Sequence, residues 1–131
     1  MNHMDTILKI LLYIWQLPQN IVGLIAVSHL WPVPNVRFRG EMICYSERMR
    51  GGISLGRYII LARRYWEGNG DTELHEYGHA LQSRYLGPFY LVVIGLPSLL
   101  WAWWWNEDRG VSYYSFYTER WADILGGVER C

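Results

Sequence analysis

The chain has 131 residues, a length that suits one domain with a hydrophobic core and is short for two. Lys and Arg total 12 and Asp and Glu total 12, so the basic excess typical of nucleic-acid binding is absent. An apolar content of 51% excludes a disordered chain, and two cysteines exclude a multi-bridge disulfide scaffold. Aromatic residues reach 16%, including eight Trp, and they belong either to a core or to a membrane face.

The first apolar segment covers residues 7–31, and from Ile10 onward it has no acidic or basic residue except His29. About 20 apolar residues cross a bilayer, so the length alone would allow a span. The middle of the segment, however, carries Pro18 and three amides within residues 16–20, which a single span would expose to lipid. We therefore predict two shorter helices that meet near Pro18.

Short apolar runs follow at residues 36–39, 42–45 and 58–62, and glycines separate them. Such runs, bounded by turn residues, predict a small antiparallel sheet of two to four strands. The sheet would occupy residues 35–66, after an apolar helical segment at residues 1–34.

A helical pattern returns at residues 72–86. Asp71 or Thr72 is expected to cap its start, and Gly87 with Pro88 to end it.

The second apolar segment, residues 86–105, carries no charge and ends in a tryptophan cluster. A glycine and a proline within residues 95–98 are expected to interrupt it. A last helix is predicted over residues 116–125, with Ser115 as its cap and the glycine pair after Leu125 as its end.

The sequence His75-Glu76-Tyr77-Gly78-His79 matches the pattern H-E-x-x-H and falls within the predicted helix. Residues four apart lie on one helix face, so both imidazoles can bind one metal ion, and Glu76 can reach a water that the metal activates. In a random sequence of this length with four His and eight Glu, roughly 0.007 matches to H-E-x-x-H are expected by chance. The alternative is a helix with two histidines that bind no metal.

A catalytic zinc site usually has three protein ligands, so one more ligand is needed. Glu119 lies on the predicted last helix, and Asp123 follows it by four residues on the same face. We predict Glu119 as the third ligand and Asp123 as the acceptor for the N–H of a ligand imidazole. His3 and His29 are weaker substitutes, and an exposed acidic helix face is the alternative reading of the two carboxylates.

The pairing of HEYGH with Glu119-Arg120-Trp121-Ala122-Asp123 resembles the gluzincin metallopeptidases, which place a Glu ligand on a later helix and an Asp four positions on. The stretches HEYGHALQSRYLGPFYLVVIGLPS and YYSFYTERWADILGG, within residues 70–127, resemble a small bacterial family. That family occurs alone or as a C-terminal module of Rhs-type polymorphic toxin proteins. The resemblance implies a zinc peptidase-like, zincin-like domain and names no substrate.

If zinc binds, it would polarise a scissile carbonyl, and Glu76 would act as the general base that accepts a proton from water and returns it to the leaving amine. The oxyanion that develops needs a donor. The candidates are Tyr113, Tyr114, Tyr117 and Arg120. The run at residues 58–61 is predicted to be an edge strand to which an extended peptide could add.

The position of Glu119 constrains the second apolar segment. A single bilayer crossing by residues 86–105 would place the two histidines about 30 Å from Glu119. We therefore predict that the chain turns at residues 95–98 and returns as a hairpin, either buried against the protein or dipping into one leaflet with its tryptophans at the interface. The domain would then sit at a membrane surface, and an aromatic soluble core is the alternative.

These patterns predict one α+β domain over residues 1–131, and the resemblance implies that it is zincin-like. It would combine a small antiparallel sheet, two metal-site helices within residues 71–127 and two broken apolar hairpins. The expected function is a membrane-associated bacterial zinc peptidase that acts on a peptide or protein substrate. The alternatives are a noncatalytic membrane-associated structural or interaction protein, a toxin-module-like domain, and a metal site kept for structure alone.

Overall fold

The computed structural model describes residues 3–30, 33–38, 41–66, 68 and 70–130. Within them the chain has five α-helices and a four-stranded sheet, so the predicted α+β class is confirmed. The helices are α1 (His3–Trp15), α2 (Leu17–Leu30), α3 (Asp71–Leu86), α4 (Leu96–Trp104) and α5 (Tyr117–Gly126). The strands are β1 (Val33–Phe38), β2 (Glu41–Ser46), β3 (Gly52–Leu55) and β4 (Tyr58–Ala62). The predicted ends of the first apolar segment at Trp31 and of a strand at Arg39 lie outside the described residues.

The first apolar segment folds as two helices, α1 and α2, with an 88° bend at Gln16. Pro18 is the second residue of α2, where its missing N–H removes no helical hydrogen bond. The amide of Gln19 turns inward, and its Nε2 donates to Ser83 Oγ and to the Gly87 carbonyl at 2.8 Å each. The prediction of two helices meeting near Pro18 is therefore confirmed, and this amide is bonded inside the protein. The predicted hairpin at this point is wrong, because the two helices meet at 88° and do not run back along each other.

The sheet has the strand order β1-β2-β4-β3. The pairs β1–β2 and β3–β4 are antiparallel, whereas β2 and β4 are parallel. The predicted all-antiparallel sheet is therefore wrong. The predicted edge strand at residues 58–61 is also wrong, because β4 lies between β2 and β3. Ile59, Ile60 and Leu61 are all buried, and a strand that is apolar on both faces belongs in the interior of a sheet.

The strand at the edge of the sheet next to β4 is β3, which the sequence pattern did not assign as a strand. It is short and lies between glycines, which obscure its apolar alternation. The hydrophobic core lies between the sheet and α3, where Ile43, Ile59 and Leu61 pack near Ala80. The core therefore fixes α3 against the face of the sheet.

Both metal-site helices form within one residue of their predicted bounds. Their caps differ from the prediction. Gly70, in the left-handed conformation at φ 86°, precedes α3 in place of a capping Asp71 or Thr72 side chain. Phe116, which gives no side-chain cap, precedes α5 in place of Ser115.

Gly78 allows α3 and α5 to pack backbone to backbone. A Cβ at Gly78 would lie 1.8 Å from the carbonyl oxygen of Ala122, far inside van der Waals contact. This close approach brings the face of α5 with Glu119 and Asp123 against the face of α3 with the two histidines. Gly78 lies inside the HEYGH motif, so the motif also contains the residue that allows α5 to pack closely against α3.

The second apolar segment does not turn back at its middle, so the predicted hairpin at residues 95–98 is wrong. After a 3-10 turn at Gly87–Phe89, a π-helical turn at Leu91–Gly95 runs directly into α4. The result is one continuous apolar helix, Leu91–Trp104, and the chain changes direction only after Trp104.

Pro97 lies in the first turn of α4, directly after the π-helical turn, where a proline is tolerated. Proline has no N–H to donate to the carbonyl four residues before it, which is that of Val93. The Val93 carbonyl accepts a hydrogen bond from the hydroxyl of Tyr117 at 2.6 Å. A contact from α5 thus supports the helix at the point where the sequence predicts an interruption.

Large apolar side chains of α1, α2 and the helix Leu91–Trp104 face outward. We call these the exposed apolar surface, which comprises Ile7, Leu11, Ile14, Ile21, Leu24, Val92, Leu96, Leu99 and Trp103, among others. In the described part of the chain no single helix is long and apolar enough to cross a bilayer. By length and composition, the bent pair α1 and α2 would suffice.

Candidate metal centre

His75 and His79 lie one turn apart on the buried face of α3. Their ligand atoms and a carboxylate oxygen of Glu76 all lie within 4.8 Å of one another, so this buried group could hold a metal ion. The three side chains are almost inaccessible to solvent. Such burial of ionisable groups requires partners, and α5 supplies the first of them.

Glu119 reaches the two histidines from α5. Its Oε1 lies 3.2 Å from His75 Nε2 and 3.1 Å from His79 Nε2, and only 2% of the residue is exposed. The structure thus brings all three predicted ligands to one point, although 40 positions separate His79 from Glu119.

The outer nitrogens of both imidazoles are held by acceptors. Asp123 Oδ1 accepts a hydrogen bond from His75 Nδ1 at 2.7 Å, the contact that the sequence analysis predicts. Gln82 Nε2 donates to the Thr118 carbonyl at 3.0 Å, so Gln82 Oε1 accepts from His79 Nδ1 at 2.7 Å. In both rings Nδ1 therefore carries a proton, and Nε2 faces inward.

Gln82 was missed by the sequence analysis. Its position three residues after His79 places it on the same helix face, and that spacing was the available signal.

The inward-facing atoms fit a metal cation. When the imidazoles are neutral, their two Nε2 lone pairs and Glu119 Oε1 are three acceptors pointing at one place, and only protons or a cation can satisfy them. Beside them, the buried Oε2 of Glu76 has no hydrogen-bond partner among the described residues. A buried carboxylate oxygen next to converging acceptors suits a metal with a water molecule beside it.

The charges of these groups are strongly coupled. Burial alone would lower the pKa of His79, but the hydrogen bond to Glu119 and the negative charges of Glu76 and Glu119 outweigh it and raise the pKa to about 9. Burial would raise the pKa of Glu119, yet hydrogen bonds from both histidines hold that pKa well below its usual range. Burial raises the pKa of Glu76, and the charges of the histidines offset this only in part.

The second oxygen of Glu119 has its own partners. Ser98 Oγ, from α4, and Thr118 Oγ1 each donate to Glu119 Oε2 at 2.6 Å. Neither hydroxyl is marked by a sequence pattern. The carboxylate thus has one oxygen toward the histidines and one oxygen toward two hydroxyl donors.

Two of the four predicted oxyanion donors lie at the site. Tyr113 lies beside Glu119, and burial together with the charges of Glu119 and Glu76 raises the pKa of its hydroxyl. The ring of Tyr114 packs edge-on against the ring of His75, with 5.2 Å between centroids.

The other two candidates are placed elsewhere. Tyr117 donates its hydroxyl to the Val93 carbonyl, and Arg120 is exposed to solvent. The substitute ligands are also exposed, His3 on α1 and His29 on α2. The His29 ring is in contact with the Ile25 carbonyl at 2.9 Å rather than with the metal centre.

Arg130 contacts the outer part of the site, through Asp123 and Tyr114. No sequence pattern predicts this residue. Its Nε donates to Asp123 Oδ2 at 2.7 Å and its Nη2 to Asp123 Oδ1 at 3.1 Å. Its guanidinium lies 3.3 Å from the centroid of the Tyr114 ring. Asp123 is therefore held between His75 and Arg130, which fixes the carboxylate that orients the ligand ring.

Comparisons with known protein families, with curated proteins and with solved structures find no match for this chain. A function therefore has to be argued from the chemistry of the site itself.

Proposed function

We propose that this chain is a zinc-dependent peptidase of the gluzincin type with a zincin-like fold. His75, His79 and Glu119 would hold the metal, and Glu76 would be the general base. The observation that carries the proposal is the convergence of two imidazole nitrogens on one carboxylate oxygen, beside a Glu76 oxygen that has no hydrogen-bond partner in the described part of the chain.

The donor set favours zinc in a catalytic setting. Two imidazole nitrogens and one carboxylate oxygen suit zinc, whereas magnesium and calcium favour oxygen ligands. Three protein ligands leave one position open, and that opening distinguishes catalytic zinc sites from structural ones with four protein ligands. Asp123 and Gln82 hold the outer nitrogens of the rings, as the second layer of such sites usually does.

Zinc bound here would polarise the scissile carbonyl and lower the pKa of water. Glu76 accepts the proton that the attacking water loses and delivers it to the leaving amine nitrogen. Burial raises the pKa of Glu76, and a raised pKa makes this carboxylate a stronger acceptor for that proton. Tyr113, whose raised pKa keeps its hydroxyl protonated, would donate to the carbonyl oxygen as negative charge develops there.

The edge of the sheet beside Glu76 supports a peptide as the substrate. A Cβ at Gly52, in β3, would lie 2.8 Å from Glu76 Oε1, so strand and base are adjacent. The Ala62 N–H donates to the Gly51 carbonyl at 2.7 Å, so these two residues form a hydrogen-bonded pair. Hydrogen-bonded and non-bonded pairs alternate along an antiparallel ladder, so the N–H and C=O of the next residue, Gly52, point away from β4. An extended peptide that adds to this edge would run past Glu76.

We also propose that the domain binds a membrane surface. In α2 the buried residues are Gln19, Asn20 and Gly23, whereas Ile21, Val22, Leu24 and Ile25 are exposed. A surface helix of a soluble protein normally has the opposite arrangement. Exposed apolar side chains with polar contacts directed inward suit a helix that faces lipid.

The function is tested by zinc content and peptidase activity together. Purified wild type, Glu119→Ala and Glu76→Gln are compared for bound zinc and for cleavage of a mixed library of fluorogenic peptides. Glu119→Ala should lose zinc, and Glu76→Gln should keep zinc and lose about 10²–10⁴-fold in turnover. His29→Ala, which changes an exposed imidazole, serves as the matched control and should behave as wild type.

Two results would count against these roles. Zinc at wild-type level in Glu119→Ala would remove the third ligand, and full turnover in Glu76→Gln would remove the base. The exposed apolar surface favours a second candidate, a noncatalytic metal-binding protein that acts through its membrane contact. That candidate would bind zinc and vesicles without cleaving any peptide.

A further inference from the structure

The apolar helix α4 contacts the metal centre through one hydroxyl. Its sequence, LPSLLWAWW, contains Ser98 as the sole hydroxyl-bearing residue. Its neighbours include Leu99 and Trp103, which are 65% and 83% exposed. Ser98 points the other way, toward α5, where its Oγ lies 2.6 Å from Glu119 Oε2.

The two carboxylate oxygens of Glu119 have different partners. Oε1 faces His75 and His79, while Oε2 accepts hydrogen bonds from Ser98 and Thr118. Short O–H···O⁻ bonds of this kind are stronger than bonds between neutral groups. The terminal torsion of a Glu side chain is broad, so a carboxylate without such bonds can turn either oxygen, or both, toward a metal. Two hydroxyls on Oε2 leave Oε1 as the inward oxygen.

The two hydroxyls are not equivalent. Thr118 precedes Glu119 on the same helix and moves with it, whereas Ser98 comes from another helix 21 positions away. Ser98 is therefore the contact that fixes the carboxylate relative to α4. The same two helical segments are also joined by the Tyr117 hydroxyl on the Val93 carbonyl, which does not touch Glu119. This second contact offers a control for simple helix docking.

We propose that Ser98 is a positioning residue that holds Glu119 as a one-oxygen ligand and so sets the affinity of the metal centre. The proposal rests on the proposed function in one respect, namely that His75, His79 and Glu119 bind zinc. It adds that an apolar helix contributes to the site through a single hydroxyl.

The test compares side chains of equal shape on the full chain. Ser98→Thr keeps the hydroxyl, and Ser98→Val replaces it by a methyl group. Zinc affinity is measured by competition with a chelator at fixed pH, and the visible spectrum of the Co²⁺-loaded protein reports ligand geometry. Ser98→Val should lose about 10–100-fold in zinc affinity and change the Co²⁺ spectrum, whereas Ser98→Thr should restore both. Ser98→Ala, which is smaller, should behave as Ser98→Val does.

Tyr117→Phe is the control for docking of the helix. It should lower the melting temperature measured in chelator and leave the zinc affinity unchanged. Equal affinities in Ser98→Val and Ser98→Thr would overturn the proposal, as would an equal loss in Tyr117→Phe. A wild-type chain that binds no zinc would overturn the proposed function as well, so the two failures are distinguishable.

Discussion

The α3–α5 pair and the helices of the exposed apolar surface use side chains in different ways. Between α3 and α5 several buried side chains are ionisable, and Glu119 and Asp123 each have named hydrogen-bond partners. On α1, α2 and Leu91–Trp104 the outward side chains are large and apolar. The first region is thus defined by specific hydrogen bonds, and the second by the apolar character of its surface. Substitutions in the two regions should therefore differ in kind.

The largest effect is expected where the helices of the metal centre touch. Gly78→Ala places a methyl group 1.8 Å from the Ala122 carbonyl oxygen, so α5 has to move away from α3. We expect the free energy of unfolding in chelator to fall by about 3 kcal/mol or more, and bound zinc to be lost. Urea unfolding and zinc content measure these effects. Gly51→Ala, where a Cβ meets open space, should change neither, and a fully stable Gly78→Ala would contradict the backbone contact.

A smaller effect is expected from the side chain that orients His79. Gln82→Met keeps the approximate size of the side chain but removes the acceptor for His79 Nδ1. Zinc affinity should fall by about 10–100-fold, as measured by chelator competition. Gln82→Glu, which keeps an acceptor oxygen, should retain more of the affinity than Gln82→Met. The reverse order would contradict the role of Gln82 as the acceptor that orients His79.

The parts of the site that follow from the sequence are those with local spacing. The pairs His75 with His79 and Glu119 with Asp123 are each four residues apart, so helix geometry alone places each pair on one face. The structure puts the two faces together, with Asp123 on His75. That contact depends on Gly78, whose role in packing is not visible in a pattern of ligands.

The missed features depend on contacts between distant segments. Ser98 and Arg130 reach the site from outside the two helices, and no local pattern marks them. The sequence predicts an interruption at Pro97, because it shows neither the π-helical turn before this residue nor the Tyr117 hydrogen bond to the Val93 carbonyl. β4 was expected at the edge of the sheet, although its doubly buried run of Ile59 to Leu61 was a signal for the interior.

The pH dependence of stability should reverse when the centre is loaded with metal. In the metal-free protein the pKa of His79 is raised from 6.5 to about 9, so its protonation stabilises the fold fully below 6.5, and this is lost as pH rises through about 9. The raised pKa of Glu76 acts in the same direction. The melting temperature in chelator should therefore fall between pH 6.5 and 9. With saturating zinc it should rise over that range, because the metal displaces protons. Parallel trends with and without zinc would argue against His79 as a ligand.

The smallest change in stability is expected on the exposed apolar surface. Leu99 and Leu24 are exposed, so Leu99→Gln and Leu24→Gln remove few contacts within the chain and should alter the free energy of unfolding by less than about 0.5 kcal/mol. The same variants should reduce co-sedimentation with phosphatidylcholine vesicles, because the lost apolar area would otherwise enter the lipid. Binding at wild-type level would remove these side chains from the membrane contact. A large loss of stability would instead mean that they pack against protein, for example a second copy of the chain. The exposed apolar side chains would then mediate contact between two copies of the chain rather than lipid binding. The hydrogen bonds required at the metal centre would be the same in either case.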